Sequence, residues 1–78
     1  MKTYEILVNT KLANNYMQGR MMGIIYVLTG MPKKEYAMMQ GENDILMRFD
    51  ATEEQSKAVH DCLNDLYPNA YVGMREVE

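Results

Sequence analysis

The chain has 78 residues, which allows one domain with a small hydrophobic core, and we treat residues 1–78 as that single domain. Hydrophobic residues make up 47% of the sequence, a share that excludes an intrinsically disordered chain. The net charge of −3 comes with no dense basic stripe, so nucleic-acid binding is not expected. One cysteine excludes an internal disulfide, MKTYE does not resemble a signal peptide, and no apolar run is long enough to cross a membrane. We therefore expect a cytoplasmic protein.

Charge is distributed unevenly along the sequence. Residues 1–34 hold five basic side chains and one acidic one, whereas residues 35–78 hold ten acidic and three basic ones. This asymmetry is typical either of two solvated faces or of a bipolar molecule that steers a charged partner.

The first predicted element is a strand over Thr3–Asn9, because its residues are β-formers in an alternating pattern. Residues 11–29 allow two interpretations. Apolar side chains at helical spacing, with Gly30 and Pro32 as a stop, favour one long helix. Gly19 and Gly23 instead favour a short helix over 11–22 followed by a strand over 23–29, since each glycine costs about 1 kcal/mol inside a helix.

The next two runs, Glu35–Gln40 and Ile45–Asp50, flank the turn-forming residues GEND and predict a β-hairpin. A helix over 52–67 follows. Thr52 and Gln55 have the spacing of a capping box, and Pro68 ends the helix. The last predicted strand is Ala70–Val77.

This order of elements, β-α-β-β-α-β, predicts an α+β two-layer sandwich with a four-stranded antiparallel sheet and both helices on one face. In element order the chain resembles the ferredoxin-like fold, and the resemblance concerns the fold only. The sequence holds no cysteine cluster, so an iron–sulfur ferredoxin is excluded.

In such a sandwich the helices cover one face of the sheet and leave the other face open. Side-chain alternation assigns residues to the two faces. The covered face is predicted to hold Tyr4, Ile6, Val8, Ile45, Met47 and Phe49. The open face is predicted to hold Leu7, Met39, Leu46, Tyr71 and Val77 together with Glu5, Arg48 and Arg75. Apolar residues in that number form a patch of the kind that contacts a partner.

Groups that carry catalysis are scarce in this sequence. His60 is the only histidine, and no metal ligand lies three or four residues away on its helix, so we interpret it as an exposed surface residue. Cys62 falls on the apolar stripe of the same helix and is interpreted as a buried structural thiol. Asp61 and Asp65 share a solvated helix face, and the glycines of Gly19–Gly23 do not have the spacing of a phosphate loop. We predict no catalytic residue, no metal and no cofactor.

Three classes of function are compatible with this sequence. The leading hypothesis is a small non-enzymatic module that binds a protein partner, or a second copy of itself, as an inhibitor or regulator; such proteins are often encoded by phages and other mobile elements. The alternatives are a dimeric small-molecule sensor and a small enzyme with a pocket on the open sheet. The predicted partner-binding residues are Leu7, Leu46, Arg48, Tyr71 and Arg75 on the open face and Glu53 and Glu54 on the acidic helix.

Overall fold

The computed structural model describes residues 1–30, the backbone of 37–39, and residues 42–77. Three full-length antiparallel strands form the sheet: β1 (Lys2–Asn9) in the centre, β3 (Asp44–Ala51) on one side and β4 (Tyr71–Val77) on the other. A short strand, β2 (Ala37–Met39), pairs with the free edge of β3, so the strand order is β2-β3-β1-β4.

This sheet shows that the predicted ferredoxin-like fold is wrong. Without the three-residue ladder of β2, the described residues form a three-stranded antiparallel sheet and two helices in a β-α-β-α-β arrangement, not a sheet of four comparable strands. Of the predicted run Glu35–Gln40, Ala37–Met39 is described as a strand, and the rest lies outside the described residues.

Helix α1 (Asn15–Thr29) is continuous, so the alternative of a strand over 23–29 is wrong. The side chain of Asn14 caps it, accepting a hydrogen bond from the Met17 backbone N–H at 2.9 Å. Gly30 ends it in the left-handed conformation at φ 70°, which only glycine adopts without steric cost, and this confirms the predicted stop. The helix starts at Asn15 rather than at residue 11.

Helix α2 (Glu53–Leu66) has the predicted capping box. The Thr52 hydroxyl accepts from the Gln55 backbone N–H at 3.2 Å, and the Thr52 N–H donates to the Gln55 side chain at 2.9 Å. No helix in the described part of the chain has the length and apolar character needed to span a bilayer.

The hydrophobic core lies between the sheet and the two helices. Met21 and Ile25 of α1 and Val59 and Leu63 of α2 are buried against one face of the sheet. The sheet contributes Tyr4, Ile6, Val8, Ile45, Met47 and Phe49, the set predicted for the covered face. Burial of a side chain of this size contributes about 1.5–3 kcal/mol, so this layer is the main source of stability.

Candidate functional site

The opposite face of the sheet is centred on Glu5, and neither of the two helices described for residues 1–30 and 42–77 packs on it. In the strand register, Glu5 of β1 lies directly opposite Arg48 of β3 and Arg75 of β4. Leu7 lies opposite Leu46 one pleat further along the same face. The sheet therefore brings together four of the predicted partner-binding residues, and we call this surface the open face.

Glu5 is almost completely shielded from water, at 1% exposure, although it lies outside the hydrophobic core. The Arg48 Nε–H donates to Glu5 Oε2 at 2.9 Å, and the guanidinium of Arg75 donates to Glu5 Oε1 through Nε and pairs with it through Nη2. The two arginine side chains themselves stay 46% and 73% exposed. A carboxylate is thus enclosed by two cations that remain in contact with solvent.

The electrostatic consequence is a lowered pKa for Glu5. The hydrogen bond from Arg48 is the largest cause, and burial opposes it by disfavouring the charged form. The hydrogen bond and charge of Arg75 lower the pKa further, so the net direction is downward and Glu5 stays ionised at neutral pH. A carboxylate held in this way is a weak proton acceptor.

An apolar cavity of about 370 Å³ lies beside this ion cluster and is open to solvent. Leu7, Leu46, Val72 and Gly73 supply its apolar wall, and Glu5 and Arg75 supply its charged edge. Leu46 is only 7% exposed, but neither it nor Leu7 belongs to the cluster that the helices cover. The cavity has the size that accepts one side chain or a small ligand.

Tyr71 does not lie on the open face, so its predicted position is wrong. The pairing of β1 with β4 shifts between Leu7 and Val8, so that Gly73 lies opposite Leu7 and Tyr71 lies opposite Val8. Val72 is the extra residue of this irregularity, and one extra residue moves the next side chain to the other face. Tyr71 is therefore buried in the core at 4% exposure.

The hydroxyl of Tyr71 contacts a side chain of α2, which the sequence did not predict. It lies 2.6 Å from Nδ1 of His60 on α2, and the two rings meet edge to face. Burial raises the pKa of Tyr71 to about 12, with a smaller contribution from the charge of Asp61. His60 is exposed, as predicted, but it is tied to the sheet by this contact.

Of the remaining predicted residues, Val77 lies on the open face, opposite Thr3, and the others are not gathered there. Glu53 and Glu54 are exposed in the first turn of α2, which packs on the covered face, so they form a separate surface. The backbone register pairs Met39 with Ile45, and the side chain of Met39 lies outside the described residues.

Cys62 is half-buried rather than fully buried, which corrects the prediction of an enclosed thiol. It lines an apolar groove of about 470 Å³ between the helices, together with Arg20, Gly23, Ile24 and Val27. Among residues 1–30 and 42–77, no group of three His, Cys, Asp or Glu side chains is placed to hold a metal ion.

Glu5 itself was not among the predicted site residues. The signal was present, because a single acidic residue stands between apolar neighbours in TYEILV, the strand at the sheet centre. Only the strand pairing shows that Arg48 and Arg75 converge on it from both sides. Comparison with protein-family models, curated proteins and solved structures gives no match for this chain.

Proposed function

We propose that this protein is a small, non-enzymatic, protein-binding module that inhibits or regulates its partner through the open face of the sheet. The observation that carries the proposal is the open face itself, where Leu7 and Leu46 lie next to two arginines that are already fixed by Glu5. Its setting is proposed to be the cytoplasm, and its mode of action is that of the compact inhibitors encoded by mobile elements.

The composition of the open face resembles the centre of a binding surface more than an average solvated surface. Arginine is enriched among residues that dominate binding energy, and aliphatic neighbours exclude water around it. Because the hydrogen bonds to Glu5 hold Arg48 and Arg75 in place, less side-chain entropy is lost when a partner binds. A pre-organised pair of cations beside an apolar cavity supports recognition of another protein.

Binding is favoured over catalysis by the state of the acidic group on this face. A general base works best with a pKa near the operating pH, whereas the pKa of Glu5 is lowered. The other reactive side chains, His60 and Cys62, lie on α2, in the layer on the opposite side of the sheet. The enzyme and the small-molecule sensor remain alternative predictions, and the cavity lined by Arg75 is the site that either would use.

Affinity capture from extracts of the source organism tests the proposal when variants are compared with the wild type. Leu7→Asp replaces part of the apolar cavity wall with a carboxylate, which would compete with a partner for the cavity and the neighbouring arginines. Val27→Asp is the matched control on α1, where Val27 is 77% exposed at the groove between the helices. We expect a stoichiometric protein partner to be captured by the wild type and by Val27→Asp, and to be lost with Leu7→Asp.

Circular dichroism of each variant separates loss of binding from loss of folding. A partner captured equally by Leu7→Asp and the wild type would place the contact elsewhere. A partner lost only with Glu53→Lys/Glu54→Lys would identify the acidic helix as the contact. Either result, or the absence of any stoichiometric partner, would refute the proposed role of the open face.

A further inference from the structure

We infer that the open face recognises a partner segment in which an acidic side chain stands next to an apolar one. This inference rests on the proposed function and adds the chemistry of the partner. It is carried by the charge balance, the hydrogen-bond geometry and the cavity of the Glu5 cluster.

Among Glu5, Arg48 and Arg75, two cations face one anion. Asp50 lies on the same face, two positions from Arg48, where it accepts a hydrogen bond from the Thr3 hydroxyl. The excess positive charge is therefore centred on Arg75 at the edge of the cavity. Burial hides the anion at 1% exposure while the arginines remain 46% and 73% exposed, so an approaching molecule meets the cations first. A second carboxylate, brought by the partner, would complete the neutralisation.

The guanidinium groups also have hydrogen-bond donors left for that carboxylate. Each guanidinium has five N–H donors in a fixed planar fork. Arg48 contacts Glu5 through Nε, and Arg75 does so through Nε and Nη2. Within the described part of the chain, Glu5 is the residue to which both guanidinium groups are bonded, and a single carboxylate does not use all of their donors. The donors that Glu5 does not use are suited to a charge-assisted bond with an incoming carboxylate.

The apolar part of the recognition comes from the cavity beside the arginines. Leu7, Leu46 and Val72 form its wall, and Gly73 leaves room because it has no side chain. An anion alone would leave Val72, which is 58% exposed, and the half-buried Leu7 in contact with water, so the occupant that fits has an apolar group adjacent to its carboxylate. A segment that crosses an open sheet face presents such neighbours as consecutive side chains of one chain.

A nucleic acid fits this face less well. The cluster supplies one net positive charge on a protein of net charge −3, whereas nucleic-acid binding draws on many phosphate contacts. Tyr71, the aromatic residue predicted to face outward there, is buried on the other side of the sheet. An acidic protein segment is the occupant whose charge and apolar content match both parts of the site.

The test uses two related fluorescent probes. 8-Anilinonaphthalene-1-sulfonate carries an anion next to aromatic rings, and its sulfonate stands in for the carboxylate; N-phenyl-1-naphthylamine has the same rings without the charge. We expect the sulfonate probe to bind the wild type about tenfold more tightly than it binds Arg48→Gln/Arg75→Gln, since charge-assisted bonds are lost. The neutral probe should bind both proteins equally.

Arg20→Gln is the matched control, because Arg20 lies at the edge of the other apolar groove. The Arg20→Gln substitution should leave the affinity of both probes unchanged. In the wild type, the amide NMR shifts caused by the sulfonate probe should map to Glu5, Leu7, Leu46 and Gly73. A salt titration of the wild type needs no mutation: added salt should weaken binding of the sulfonate probe and not of the neutral one.

The inference is overturned if the sulfonate probe does not bind, if Arg20→Gln rather than the double variant weakens it, or if both probes lose affinity together. If probe binding declines as the protein concentration rises, a second copy of the chain occupies the open face. That result would also overturn the inference of an acidic partner segment. If the probes fail while capture still depends on Leu7, the partner chemistry is wrong and the binding module stands. If capture does not depend on Leu7, both proposals fail.

Discussion

Ile6 and Glu5 are neighbours on β1, lie on opposite faces of the sheet and are both hidden from water, but for different reasons. Ile6 is enclosed by the two helices in a dry apolar core. Glu5 is enclosed by two arginines that are themselves partly in solvent. Equal burial therefore marks a folding core on one face and a polar cluster with solvent-exposed arginines on the other.

The difference between the two faces separates stability from binding. Contacts in the core are made by the chain with itself and are complete once it has folded. The contacts of Glu5 leave cationic groups and an apolar cavity facing outward. Changes on the covered face should consequently affect mainly the free energy of unfolding, and changes on the open face mainly binding.

The largest expected effect is that of Ile6→Ala. Removing this buried side chain should lower the free energy of unfolding by about 2–5 kcal/mol, because transfer energy and packing are both lost. For a small domain this approaches the whole stability, so the urea midpoint should fall close to zero. Val27→Ala on the exposed side of α1 is the control and should change stability by less than about 0.5 kcal/mol. A loss below about 1 kcal/mol for Ile6→Ala would mean that the covered face is not a sealed core.

Glu5→Gln should have an intermediate effect, lowering the free energy of unfolding at neutral pH by about 1–2 kcal/mol. This loss is smaller than the loss expected for an ion pair in which both partners are buried, because Arg48 and Arg75 remain solvated when the carboxylate is removed. Urea unfolding at low and high salt measures it. A neutral or stabilising outcome would show that the cluster adds nothing to folding.

The Glu5→Gln variant also tests the direction of the Glu5 pKa shift, because that direction fixes how stability changes with pH. The folded-state pKa of Glu5 is lowered, so its stabilising contribution is present above the unfolded pKa and is lost as pH falls through the folded one. The stability difference between wild type and Glu5→Gln should thus be largest at neutral pH and shrink on acidification. A difference that grows as pH falls would contradict the lowered pKa.

The smallest loss of stability is expected for Tyr71→Phe. This variant tests whether the Tyr71 side chain lies on the covered face, where its hydroxyl contacts α2. Loss of the hydroxyl removes its 2.6 Å contact with His60 and should cost about 0.5–1.5 kcal/mol. Tyr26→Phe, on the exposed side of α1, is the control and should be close to neutral. If the two variants lose equal stability, the hydroxyl of Tyr71 is not engaged with α2.

Much of the local structure could be predicted from the sequence. The capping box of Thr52 and Gln55 and the stop at Gly30 are short-range effects, in which a side chain or a backbone angle satisfies nearby backbone groups. The covered-face residues of β1 and β3 followed from simple alternation.

The candidate site could be predicted only in part. Leu7, Leu46, Arg48 and Arg75 were assigned to the open face, and the strand register brings them there. Tyr71 was assigned to the wrong face, since a one-residue irregularity in β4 leaves no clear sign in the residues YVG. Glu5 was treated as part of the polar background, because its importance depends on partners 43 and 70 positions away.

The sequence alone determined the capped start of α2, the end of α1 at Gly30 and which side chains of β1 and β3 point to the core. These features depend on residues within a few positions of one another, and caps, turns and alternation encode them directly. Tertiary structure decided the pairing of Glu5 with two arginines, the inward turn of Tyr71 and the contact of Tyr71 with His60. The reason is physical: strand register is a property of two chain segments at once, and no single segment specifies it.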